Sequence, residues 1–85
     1  MSKKSKAVKA PKLFIKSGKE AIVLRQKLGL NQSNFWSKIA VTQSGGSRYE
    51  SGRSIPRPAQ ILLHLAYAPE AEALVMLNYL RAEKE

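Results

Sequence analysis

The chain has 85 residues, with 15 Lys and Arg against 6 Glu and no Asp, which leaves a net charge of +9 with its one His neutral. That length holds one small domain, with a core thin enough that pairing of two copies would help it. Without Cys or Asp and with a lone His, there is no thiolate chemistry and little from which to build an acid–base pair, a triad or a metal cage. The chain is therefore expected not to be an enzyme, and no metal, cofactor or small-molecule ligand is expected.

The first sixteen residues, MSKKSKAVKAPKLFIK, hold six Lys and no acid. The stretch before Pro11 reads as a disordered basic arm, and Leu13-Phe14-Ile15 as the anchor at its end. This triplet is too short for the apolar stretch of a signal peptide, and nothing in the chain approaches the ~20 apolar residues of a membrane span. A soluble, cytoplasmic protein without a membrane partner is expected.

Ser17 followed by Glu20 is a capping-box pattern. Ala21, Leu24 and Leu28 come next at helical spacing, and Gly29 supplies a C-cap, which predicts a helix over about 18–28. Asn31 can cap a second helix from Gln32 to Ile39, with Phe35, Trp36 and Ile39 apolar. Thr42 can cap a third that runs to Glu50 and is closed by Gly52. After the proline-bounded loop Gly52–Pro58, Pro58 suits the first position of a fourth helix, with Ile61, Leu62, Leu65 and Ala66 buried and His64 at the surface or an edge. Pro69 opens a fifth helix over 69–84. Its Leu74, Leu77 and Leu80 are available to the core, which leaves Val75, Met76 and Tyr79 for another chain; an intramolecular cap on the bundle is the competing use. Five short helices without a strand signal predict an all-α bundle, with residues 1–16 as arm and 17–85 as domain.

Charge is unevenly spread. Residues 1–57 carry 13 basic and 2 acidic side chains, and residues 58–85 carry 2 basic and 4 acidic. A strongly basic segment joined to a near-neutral one points to a polyanion on one side and protein on the other.

The second and third helices are joined by only Ala40-Val41-Thr42, the spacing of a helix-turn-helix, in which the second helix presents its N-terminal end to the major groove. LRQKLGLNQ (Leu24–Gln32) followed by VTQSGGSRYESG (Val41–Gly52) resembles the lambda-repressor/Cro-type helix-turn-helix proteins, the XRE family, over about residues 18–68. The resemblance implies a five-helix lambda-repressor-like domain that binds double-stranded DNA. It places Gln32 on a phosphate at the start of the second helix, and Gln43, Ser44, Ser47 and Arg48 on the outward face of the recognition helix. Gln43 suits a bidentate adenine contact, and Arg48 suits guanine or a phosphate. Arg53 and Arg57, read as lying in the following loop, resemble phosphate clamps, and Arg25 with Glu50 resembles an internal ion pair. Lys3, Lys4, Lys6 and Lys9 of the arm add phosphate contacts without sequence information. Tyr49 is expected in the core.

Three positions depart from the family pattern. Trp36 stands where a small residue is usual, Ala40 where the turn usually has Gly, and Gly46 where Ile or Val is usual. The first and third are opposite in volume and face each other in the family's fold, so the Trp36 indole is expected to fill the space left by Gly46. Two glycines inside the recognition helix cost roughly 1.5–2 kcal/mol relative to alanine, which leaves open a helix that is loose until DNA orders it. SGGS lacks the Lys-Ser/Thr ending of a phosphate-binding P-loop.

In this family the last helix often makes a dimer, and Leu74, Met76, Leu77, Tyr79 and Leu80 are the expected contact residues. The resulting expectation is a small bacterial or phage transcriptional regulator, a repressor that binds a palindromic operator as a homodimer. The alternatives are an antitoxin-type module that binds a partner protein, and a non-specific nucleic-acid binder.

Overall fold

Ser17, Asn31 and Thr42 each turn a side-chain oxygen onto the backbone N–H three residues on, at 3.3, 2.7 and 3.0 Å, and so fix where the first three helices begin. The computed structural model describes residues 9–82. Within them lie α1 (Gly18–Lys27), α2 (Gln32–Ser37), α3 (Gln43–Glu50), α4 (Arg57–Tyr67) and α5 (Glu70–Arg81), and no strand. The fold is an all-α helix-turn-helix domain.

At the start of α1 the Glu20 carboxylate accepts the Lys16 N–H at 2.7 Å, one residue upstream of the position a capping box would use. At the other end Gly29 takes φ +72°. Leu30 N–H then reaches Arg25 O and Gly29 N–H reaches Gln26 O, a Schellman closure that turns the chain toward α2. Helix α2 stops two residues before Ile39, and the turn that follows carries Ala40 at φ +63°. Despite Gly45 and Gly46, α3 runs as a regular helix over its full predicted length.

Phe35 and Trp36 of α2 are fully buried. The Phe35 ring meets Trp36 edge-on at 5.2 Å and stacks on Tyr67 of α4 at 4.5 Å. The Tyr67 hydroxyl donates to the Phe35 carbonyl at 2.7 Å, and burial pushes its pKa up, which keeps that donor protonated. Ile15, Ala21, Ile39, Ile55 and Leu63 complete the core, and Tyr49 packs against it. The folded body therefore reaches back to the Phe14–Ile15 step ahead of α1.

Helix α4 departs from its predicted phase. It begins at Arg57 with Pro56 as its cap, and its fully buried positions are Leu63 and His64. Leu62 and Ala66 are exposed, and Ile61 and Leu65 are half-buried. His64 is a core residue. Phe14 N–H donates to its Nδ1 at 3.1 Å, so the neutral ring carries its proton on Nε2, 3.1 Å from the Glu72 carbonyl. One turn earlier, Gln60 Nε2 donates to Lys16 O at 2.9 Å. Together these bonds clip the segment before α1 and the first turn of α5 to α4, and they explain why a polar residue displaces leucines from the buried face.

The phase of α5 follows from that clip. Met76, one turn beyond Glu72, is 1% exposed and packs within its own chain, so it is not available to a second copy. Leu74, Leu77 and Leu80, read both as available to the core and as contacts for a second copy, are exposed, as is Val75. Tyr79 is half-buried.

Candidate nucleic-acid interface

Helix α1 approaches the last turn of α3 closely because residue 18 is glycine. A β-carbon there would overlap the Tyr49 carbonyl oxygen and stand 2.7 Å from its carbon. That approach brings Arg25 to Glu50. Arg25 Nε donates to Oε2 at 2.8 Å and a second guanidinium nitrogen to Oε1 at 2.9 Å, while a third holds Leu30 O at 3.1 Å.

The same carboxylate takes two further donors from α2. Gln32 Nε2 lies 2.9 Å from Oε1, and the Trp36 indole N–H lies 2.8 Å from Oε2. The Glu50 side chain is only 5% exposed. Burial raises its pKa, but the hydrogen bonds from Arg25, Gln32 and Trp36 and the Arg25 charge outweigh that, so the carboxyl is held below its ordinary value. One anion thus ties α1 and α2 to α3, and it is saturated with donors facing inward.

From Glu50 the hydrogen bonds continue outward. Gln32 Oε1 accepts from Gln43 Nε2 at 2.6 Å. Gln43, the first residue of α3, is exposed. One of its two amide hydrogens is committed to Gln32, which leaves one hydrogen and the carbonyl oxygen facing solvent. A donor beside an acceptor is the pair that the major-groove edge of adenine complements. Gln32 likewise keeps one free hydrogen at the N-terminus of α2.

Around this pair Ser44 and Arg48 are exposed on α3, and Ser47 is half-buried. Arg53 is exposed in the loop, with its N–H on Arg48 O at 3.1 Å. Arg57 is not a loop residue: it is the first residue of α4, exposed there. Lys9 is exposed, and Lys3, Lys4 and Lys6 lie outside the described residues.

Trp36 lies beneath α3. A β-carbon on Gly46 would overlap Cγ and Cδ1 of the indole and stand 2.7 Å from Nε1. Reading the pair as a volume exchange missed the second property of tryptophan, an N–H that needs a partner when buried. The one acid in the motif, Glu50, was the signal that could have supplied it. His64 was missed as well. Its signal was the Gln60–His64 pair, polar and four apart in the otherwise apolar stretch 58–67.

A family model described as an RsaL-like HTH domain matches residues 22–66, more than half of the chain. No curated protein and no solved structure matches it.

Proposed function

Since the chain belongs to the family of RsaL-like helix-turn-helix domains, and is thus a helix-turn-helix DNA-binding protein, we propose that it is a transcriptional repressor of the lambda-repressor-like (XRE) kind. It binds a palindromic operator as a homodimer in a bacterial or phage setting, in the cytoplasm and at the nucleoid. No helix among the described residues is long and apolar enough to cross a membrane.

The observation that carries this reading is Gln43. It is exposed at the N-terminal end of α3 with one amide edge open, and it is held by Gln32, whose own amide is held by Glu50. In the proposed complex Gln43 reads adenine, and Ser44, Ser47 and Arg48 contact neighbouring base edges. Gln32, Arg53, Arg57 and the N-terminal lysines take phosphates. Repression follows from occlusion of a promoter.

Selection from a random double-stranded DNA pool at about 150 mM salt, where non-specific binding is typically only 10⁻⁴–10⁻⁶ M, tests it. Enrichment of an inverted repeat is the expected result. A folded protein that enriches nothing overturns base reading and turns attention to a partner protein or to RNA.

A further inference from the structure

Helix α5 carries Glu70, Leu74, Leu77 and Arg81 at spacings of four, three and four, the spacing of a seam between paired helices. At 3.6 residues per turn they share one stripe. Met76, by contrast, faces the chain's own interior. Leu74 and Leu77 are 49% and 39% exposed. Glu70 and Arg81 are exposed, and neither is in an ion pair among the described residues.

These four positions are symmetric about the point midway between residues 75 and 76. A two-fold axis crossing α5 there places Leu74 of one helix against Leu77 of the other, and Glu70 against Arg81, at both ends of the contact. We propose that a second copy of this chain docks on α5 in that antiparallel register, with the leucines at the centre and a Glu70–Arg81 ion pair at each end.

The stripe selects this arrangement over its neighbours. Parallel pairing would stack Glu70 on Glu70 and Arg81 on Arg81. An antiparallel slip of four residues would set a leucine against a charge and leave charges unmatched. Both are disfavoured by like-charge or unpaired-charge contacts, which specify against them. The contact is isologous, so it closes at two copies and does not propagate. Its small apolar centre predicts weak association of the free protein, roughly micromolar. Leu80 borders the seam and extends it on one side.

The inference rests on the homodimer reading above and adds its orientation and register. Sedimentation of the full chain, free and on its selected DNA, tests both. The expected result is a dimer whose dissociation constant rises about tenfold or more in either Glu70→Arg or Arg81→Glu at low salt, with less effect near 1 M salt. An equimolar mixture of these two variants recovers the original affinity as a heterodimer, because every end contact is then of opposite sign. Leu77→Glu abolishes the dimer while circular dichroism stays unchanged. If both charge variants and their mixture associate like the parent chain, the register is wrong while the homodimer stands. If the parent chain is monomeric in solution and binds DNA as a single copy, the homodimer reading and the register fall together.

Discussion

The space beneath Gly46 of α3 belongs to Trp36 of α2: the indole occupies the position that any β-carbon at 46 would need. Its N–H continues past the glycine to the Glu50 carboxylate at 2.8 Å. Helix α3 therefore rests on a flat ring, with a glycine at the point of contact.

Substituting that glycine tests the contact against helix propensity, because the two effects have opposite signs. Gly46→Ala gains about 1 kcal/mol in intrinsic helix propensity, yet overpacking of the indole costs about 1–3 kcal/mol or more. Urea denaturation should show a net loss for Gly46→Ala and a larger one for Gly46→Ile. Adding Trp36→Ala to Gly46→Ile should be less damaging than the sum of the two single changes, since the pair is in contact. Stabilisation by Gly46→Ile alone would sink the idea.

Glu50 predicts a pH dependence. Its folded-state pKa lies below the ordinary value of 4.5. The stability it contributes is then fully present above that value and is lost as the pH falls through it toward the folded pKa. Glu50→Gln sets an amide N–H₂ among four donors and should cost about 3 kcal/mol at neutral pH. The difference from the parent chain should shrink steadily below about pH 4.5. Melting curves at pH 7, 5, 4 and 3 decide it; a gap that stays constant with pH refutes the assignment.

Ala40 holds a left-handed conformation at φ +63°, which costs a residue with a β-carbon roughly 1–2 kcal/mol. Ala40→Gly relieves that and gives back part of the gain through a freer unfolded chain. A net stabilisation of about 0.5–1 kcal/mol is expected, read as a higher urea midpoint with an unchanged slope.

Side chains assigned to bases and to phosphates should behave differently on the selected DNA. Gln43→Ala should lose about 1–3 kcal/mol of discrimination at one base position. Arg53→Ala should weaken binding to all sequences alike and lower the salt slope by about one. Equal losses on specific and random DNA for Gln43→Ala would remove it from the base-reading set.

The caps at Ser17, Asn31 and Thr42, the Gly29 closure and the short turn after α2 were legible because each is a local rule of a few residues. The Arg25–Glu50 juxtaposition was approached through resemblance, since the two residues are far apart in the chain and no local rule connects them. The phases of α4 and α5 were misread for a shared reason. A periodicity argument assigns leucines inward and histidine outward, but His64 finds both of its partners in other segments, Phe14 N–H and the Glu72 carbonyl. Burying it rotates α4, and the same hydrogen bond fixes the face that α5 turns inward. Hydropathy along one helix cannot register a partner supplied from fifty residues away.

The bond between Gln32 and Gln43 has a consequence for entropy. A free glutamine on a surface samples many rotamers, and fixing one on binding costs about 0.5–1.5 kcal/mol. Here the 2.6 Å contact, backed by Gln32 on Glu50, restricts both side chains before any ligand arrives. It also fixes which end of the Gln43 amide is oxygen and which is nitrogen. A molecule that meets this surface therefore encounters a donor and an acceptor in a set order, and little conformational freedom remains there to be lost.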